Sequence, residues 1–295
     1  MGAPDITPIE RADHADASAA HQRRLTVIAD DRSARRASPA RRPAGSGSQD
    51  QGLEVESGSV REPQARRGPL LAVCGLCGGA GTSMLAYLIA LFTARRHADP
   101  VLVCDTGGPD GGLADHAGVA APRSLVEVAE HVTTGLPPGR VYVTGADGVR
   151  VLATGPRFAP DCPADGVKLV LDDARGAHAL TVVDCGTLTR AAEQIALAAA
   201  SHIAWVLPAT PSGVRRGERV LGAVNPYLLG GEIIVARRDE REPKAALDEL
   251  KRLARDRDAT LVLVPHLPEI SDAGNDAALD AAQVSLQAIH GVLAR

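Results

Sequence analysis

The feature that most constrains the fold is an apolar run that ends in a glycine-rich turn and leads into a helical pattern. The run "LLAVCG" at residues 70–75 is apolar throughout, which is typical of a strand buried on both faces of a parallel sheet. The turn "LCGGAG" follows, and "TSMLAYLIALFTARR" after it has helical length and a basic end. This order predicts a strand-turn-helix unit of an α/β fold.

The same alternation continues to the end of the chain. Strand-like segments read "PVLVCD", "ALTVVDCG", "HIAWVLPAT", "EIIVARR" and "TLVLVPH", and helical patterns separate most of them; "RVYVTGA" and "GVRVLAT" read as a pair of short strands. Residues 69–295 are therefore predicted to form one α/β domain, a mostly parallel sheet with helices on both faces and a ligand site at the strand carboxyl ends. The last helix has an apolar stripe, and packing on the domain is favoured over membrane binding.

Composition changes sharply near residue 68. Residues 1–68 are rich in Arg, Ser, Pro and Ala and contain little apolar sequence, so they are expected to form a disordered tail. Acidic residues nearly balance the arginine pairs of this tail, which favours solvated charge over binding to an acidic partner or lipid.

Charge and cysteine content narrow the functional classes. A net charge of −4 argues against a protein dominated by nucleic-acid binding, and DNA contact through "GVRRGER" or "ARRDEREPK" is not favoured. The longest apolar run is too short to cross a bilayer, and the five cysteines without a signal-peptide pattern indicate a reducing compartment. We expect a soluble, cytoplasmic protein.

The turn at residues 77–83 is a candidate phosphate cradle. Glycines let the backbone approach a phosphate closely, and the first N–H groups of the following helix supply donors and partial positive charge. Asp105 and Asp184 each end a predicted strand, where a carboxylate can hold Mg²⁺ through water or orient an attacking water. The alternative is a loop that keeps this sequence pattern by descent but binds no phosphate.

The stretch 69–272 resembles the ParA/MinD superfamily of P-loop ATPases, whose loop reads K-G-G-x-G-K-[ST]. Gly78, Gly79 and Gly81 match the glycines of that loop, and Ser83 matches its Mg²⁺-binding hydroxyl. "GLADHAG" and "GVRVLATGP" are similar to segments of the CpaE/TadZ/Ssd branch, whose members position pilus, secretion or division machinery. The resemblance implies protein partners of this kind, and a homodimer.

The resemblance also assigns roles beyond the loop. Asp105 matches the first aspartate of the D-x-D element, Asp184 matches the Walker B aspartate, and "PHL" matches the loop that flanks the adenine. The implied ligands are ATP or ADP with Mg²⁺. The implied catalytic residues are Asp105 and Asp184, the metal ligands Ser83, Asp105 and Asp184, and the nucleotide-binding residues Gly78, Gly79, Ala80, Gly81, Thr82, Ser83, Pro265, His266 and Leu267.

Several positions depart from the family pattern. Thr82 replaces the phosphate-binding lysine, Cys77 replaces the signature lysine, Gly107 replaces the second aspartate, and Leu76 replaces the first glycine of the longer motif. A chain with so few lysines would be expected to exchange lysine for arginine, so the charge was lost and not swapped. Each such group contributes about 3–4 kcal/mol to phosphoryl transfer, so hydrolysis is expected to be weak or absent.

Three functional interpretations remain open from these residues. The first is a nucleotide-binding positioning or regulatory switch with degraded catalytic motifs, and the second is a pseudo-ATPase scaffold that binds no nucleotide. The third is a slow ATPase rescued by an arginine. The candidate arginines are Arg215, Arg216, Arg237 and Arg238.

Four cysteines are predicted at the same edge of the sheet. They are Cys74, Cys77, Cys104 and Cys185. Tetrathiolate metal binding or a redox lock on the loop is one hypothesis for them, and small buried side chains at strand ends are the favoured alternative.

Overall fold

The computed structural model describes residues 67–106, 112–119, 123–135, 142–153, 164–224, 231–238, 244–268 and 270–295. Residues 1–66 of the predicted disordered tail and Gly107 lie outside the described residues, so the disorder of the tail and the domain boundary near residue 68 stay predictions.

Within the described residues, eight strands form one sheet in the order β3-β4-β2-β5-β1-β6-β7-β8. The strands are β1 (Leu70–Gly75), β2 (Val101–Asp105), β3 (Val143–Thr144), β4 (Arg150–Leu152), β5 (Leu180–Asp184), β6 (His202–Pro208), β7 (Glu232–Arg237) and β8 (Thr260–Val264). All neighbouring pairs are parallel except β3 and β4, which form the predicted short pair and run antiparallel. The prediction of a mostly parallel sheet is confirmed.

The helices of the described regions cover both faces of this sheet. They are α1 (Thr82–Ala94), α2 (Leu113–Ala117), α3 (Leu125–Thr133), α4 (Ala164–Ala177), α5 (Ala191–Ala199), α6 (Pro211–Gly222), α7 (Lys244–Asp256) and α8 (Ile270–Leu293). The core on one face contains buried residues of α1, α2 and α8, and the core on the other contains those of α3 to α7. This arrangement confirms the predicted layers.

The central strand β1 shows why an apolar residue stands at almost every position. Leu71 and Val73 pack into the core beneath α1 and α8, whereas Leu70, Ala72 and Cys74 pack into the opposite core. Successive side chains of a strand point to opposite faces, so a strand covered on both faces must be apolar throughout.

The last helix packs on the domain, as its apolar stripe predicted. Gly274 interrupts the helix with a φ of 79°, and the part beyond it lies against α1 and β8. The stripe residues are all buried: Leu279, Ala282, Leu286, Ile289 and Leu293. No helix in the described part of the chain is long and apolar enough to cross a membrane.

A buried ion pair joins the far ends of β6, β7 and α7, away from the glycine loop. Glu232 Oε1 accepts hydrogen bonds from Trp205 Nε1 at 2.5 Å and from Arg257 Nη2 at 2.7 Å. Arg257 Nη1 donates to the carbonyl oxygens of Leu221 and Val224 at 2.6 and 3.0 Å. Because the network is buried, each charge depends on the other for compensation.

Candidate functional site

The loop between β1 and α1 is bent by two glycines with left-handed backbone. Gly79 has a φ of 70° and Gly81 a φ of 84°, a conformation that costs other residues strain. Gly81 is the N-cap of α1, and no side chain caps that end of the helix. The amide groups at the start of α1 are therefore left to bind another acceptor, and an anion suits them best.

The foot of the loop is held by close backbone contacts. Gly75 N donates to the carbonyl oxygen of Gly186 at 2.6 Å, and Leu76 N donates to that of Val206 at 2.8 Å. A Cβ built on Gly75 would lie 2.6 Å from Thr82 Oγ1, so only glycine fits here. The Thr82 hydroxyl thus packs on the end of β1.

Ser83 and Asp184 meet at the floor of the site. Ser83 and Asp184 both line the cleft, and Gly186 N donates to Asp184 Oδ1 at 3.1 Å. Burial raises the pKa of Asp184 above its ordinary value, and the neighbouring Ser83 hydroxyl and the Gly186 amide oppose that rise. A buried carboxylate beside a hydroxyl matches the oxygen donors that Mg²⁺ prefers, and the cation would offset the cost of the buried charge.

Asp105 lies one strand away from this pair and not in the cleft wall. It is fully buried, and its partner in the register between β2 and β5 is Asp184. Thr106 fixes this arrangement, since its N and Oγ1 donate to the carbonyl oxygen of Asp184 at 3.0 and 2.8 Å. The structure therefore places Asp105 next to Asp184 but beneath the residues that line the cleft.

The loop opens into a cleft of about 530 Å³. One wall consists of residues 77–84, which include Gly78, Gly79, Ala80, Gly81, Thr82 and Ser83 of the predicted set. The facing wall comes from α2 and from the segment after β5. It contains Gly112, His116, Asp184, Gly186, Thr187, Thr189, Arg190 and Glu193.

Apart from Asp184, sequence reasoning missed the residues of the facing wall, and above all Glu193. This glutamate is 2% exposed, and its Oε2 accepts a hydrogen bond from Arg190 N at 2.9 Å at the start of α5. Burial raises the pKa of Glu193 to about 7, the hydrogen bonds from Arg190 and Thr189 work against the rise, and the charge of Asp184 adds to it. The sequence did contain a signal for Glu193, because an acidic residue stands in the first turn of the predicted helix that follows Asp184.

A smaller apolar pocket of about 230 Å³ adjoins the cleft. Of the three residues predicted to flank the adenine, His266 and Leu267 line this pocket and Pro265 does not. Arg237 also lines this pocket, and its Nη1 would lie 3.4 Å from a Cβ built on Gly81. The two cavities share three wall residues: Ala80, Gly81 and Met84.

The other three candidate arginines are placed differently. Arg216 Nε donates to the carbonyl oxygen of Leu76, so its guanidinium supports the loop from outside. Arg215 is exposed on α6, and neither Arg215 nor Arg238 lines the cleft or the adjoining pocket.

The four cysteines do not gather into one site. Cys74 and Cys185 lie in the core under α3 to α7, where the Cys185 thiol donates to the carbonyl oxygen of Val183 at 3.6 Å and the neighbouring Cys74 thiol raises the pKa of Cys185. Cys104 lies in the same core, where burial raises its thiol pKa. Cys77 packs against the opposite core and lines the cleft. Among the described residues, no cluster of three or more His, Cys, Asp and Glu side chains could hold a metal.

No protein-family model matches the sequence, and no curated protein matches it. Solved structures do match. A ParA family ATPase from Chlorobium tepidum TLS is 14% identical with a TM-score of 0.61, over 78% of this chain and 97% of that chain. A chain of the MinC:MinD cell division protein complex of Aquifex aeolicus is 16% identical with a TM-score of 0.59, over 77% and 96%.

A third similar structure contains a nucleotide analogue. The putative plasmid partition protein from Borrelia burgdorferi B31, bound to AMPPNP, is 13% identical with a TM-score of 0.55, over 77% of this chain and 98% of that chain. At these identities the likeness shows a shared fold, the ParA/MinD-type ATPase fold that the motifs predicted.

Proposed function

We propose that this chain, which has the fold of ParA- and MinD-type ATPases, binds ATP or ADP with Mg²⁺ and acts as a nucleotide-dependent positioning or regulatory protein. One observation carries the proposal. The Ser83 hydroxyl lies in the cleft beside the buried carboxylate of Asp184 and lowers its pKa, next to a glycine loop that opens onto an uncapped helix. Phosphate groups suit the amides of the glycine loop and the helix start, and a divalent cation suits Ser83 and Asp184.

Each part of the cavity suits one part of a nucleotide. Residues 79–83 line the cleft, where their amides suit a phosphate chain, and the apolar pocket beside His266 and Leu267 suits a base. Ser83 and Asp184 would hold Mg²⁺, directly or through water, with Asp105 behind them. When bound, the cation neutralises phosphate charge.

We propose that hydrolysis is weak or absent. Thr82 and Cys77 carry no charge where the family has lysines, and the hydroxyl of Thr82 packs against Gly75. Preorganised cations lower the barrier of phosphoryl transfer by about 3–4 kcal/mol each, which is roughly 10²–10³ in rate. Binding depends less on them, because the loop amides, Ser83 and Asp184 remain.

The chain is proposed to act through protein partners, in the cytoplasm. The similar structures include a chain of the MinC:MinD complex and a putative plasmid partition protein, which supports a role in positioning or partition. A homodimer and a place in the CpaE/TadZ/Ssd branch belong to the same proposal and rest on the sequence resemblance.

Calorimetric titration of ATP and ADP into the full chain tests the proposal. With Mg²⁺ we expect micromolar binding, which is weakened at least about tenfold by EDTA or by Asp184→Asn. Asp280→Asn on the exposed face of α8 is the matched control and should bind as the wild type does. Absence of heat at millimolar nucleotide would refute nucleotide binding and favour the scaffold function.

A further inference from the structure

We infer that Arg237 supplies the positive charge that the glycine loop lacks, and that it acts on the phosphates nearest the sugar. The site then recognises the nucleoside diphosphate part of its ligand and distinguishes poorly between ADP and ATP. This inference rests on the proposed nucleotide binding and assigns its specificity to a residue outside the family motifs.

The position of Arg237 carries the argument. Arg237 ends β7, and its Nη1 would lie 3.4 Å from a Cβ built on Gly81, the residue before Thr82. Its side chain is exposed, and within the part of the chain that the structure describes its guanidinium forms no hydrogen bond or ion pair. A cation that touches the phosphate loop and has no acidic partner there is suited to an anionic ligand.

The neighbouring arginines are already engaged or too distant. Arg216 donates to the carbonyl oxygen of Leu76, and Arg215 lines neither cavity. Arg190 stands in the wall that faces the loop, close enough to Glu193 for its charge to lower the pKa of that carboxyl. Arg237 therefore differs from these arginines in two ways: it lies beside Gly81 of the loop, and its guanidinium has no partner among the described residues.

The shared wall of the two cavities fixes which phosphates Arg237 can reach. Ala80, Gly81 and Met84 border both the cleft and the apolar pocket, and Arg237 lines the pocket side only. A nucleotide with its base in that pocket and its terminal phosphate toward Asp184 passes Gly81 with its first phosphates. A P-loop lysine reaches the β- and γ-phosphates, so a charge at Arg237 favours the opposite end of the chain.

Titration of the full chain with ADP and ATP in Mg²⁺ tests this assignment. We expect the wild type to bind the two nucleotides within about threefold of each other. Arg237→Gln should weaken both by about 10- to 100-fold, the effect of losing a hydrogen bond to a charged group. Arg237→Lys, which restores the charge, should recover most of the affinity. Arg215→Gln is the matched control and should leave both affinities unchanged.

The outcomes separate this inference from the proposed function. If Arg237→Gln binds within twofold of the wild type while Asp184→Asn abolishes binding, the nucleotide site stands and the assignment of Arg237 is wrong. Weakening of ATP alone would place the charge at the terminal phosphate and overturn the diphosphate specificity. Wild-type protein that binds neither nucleotide refutes both. Arg237 is exposed, so unchanged thermal unfolding by circular dichroism is expected for each variant.

Discussion

Glu193 makes the stability of this fold depend on pH in a direction that can be stated in advance. The carboxyl group is buried at the start of α5 and accepts a backbone hydrogen bond from Arg190. Its pKa rises from 4.5 to about 7, mainly through burial. The perturbation is Glu193→Gln, because glutamine also serves as the capping residue at this position of a helix but has no charge to bury.

The sign and size of this pH effect on stability follow from the difference between the pKa of Glu193 in the folded and in the unfolded state. A carboxyl with a raised pKa binds its proton more tightly in the folded state, so its contribution to stability is fully present below pH 4.5 and is lost as the pH rises through about 7. A change of that size corresponds to about 3 kcal/mol. The unfolding free energy of the wild type minus that of Glu193→Gln should fall by about this amount across the interval.

Urea unfolding of both full chains at a series of pH values measures this difference, with the fluorescence of the single, fully buried Trp205 as probe. The other titrating groups are common to both proteins and largely cancel. Glu127→Gln makes the same substitution in the capping box of α3 and reports the effect of the cap itself. A difference that stays flat with pH, or grows as the pH rises, would refute the burial argument.

Two further changes test the foot of the loop and the buried ion pair. Gly75→Ala places a Cβ 2.6 Å from Thr82 Oγ1 and should lower the unfolding free energy by about 1–3 kcal/mol in urea titrations, whereas Gly78→Ala, with no atom within 4 Å, should not. Arg257→Leu leaves Glu232 charged and buried, so the free energy of unfolding should fall by about 3–5 kcal/mol in the same assay. Adding Glu232→Leu to this variant should restore the unfolding free energy, which would confirm the cause. If Arg257→Leu alone is as stable as the wild type, the argument is contradicted.

The sequence predicted those parts of the fold that depend on local pattern. Strands covered on both faces are mostly apolar, so β1 and β5 stood out, and Asp184 was identified because it ends β5. Ser83 followed from its place in the loop. These residues meet because parallel strands bring their carboxyl ends to one edge, which is a property of the topology and needs no knowledge of side-chain packing.

Side-chain partners could not be predicted in the same way. The four candidate arginines were equivalent in sequence, and only packing shows that Arg216 is bound to a carbonyl oxygen while Arg237 touches the loop. Likewise, Cys74 and Cys77 looked like one C-x-x-C unit. The chain leaves the strand between them, so Cys74 packs into one core and Cys77 against the other.

The difference between these two groups of residues explains how a phosphate loop can lose its lysines and keep its shape. The loop is positioned by backbone contacts, such as Gly75 N to the Gly186 carbonyl oxygen at 2.6 Å, and by left-handed glycines at 79 and 81. These contacts need no lysine, and Arg216 still supports the loop at the carbonyl oxygen of Leu76, so a threonine at position 82 leaves the amide donors in place. Catalysis depends on charges placed with high precision, whereas binding can take its charge from any arginine that reaches the ligand. Retained binding with lost hydrolysis is therefore the outcome that we propose for this pattern of substitutions, with Arg237 as the proposed source of the charge.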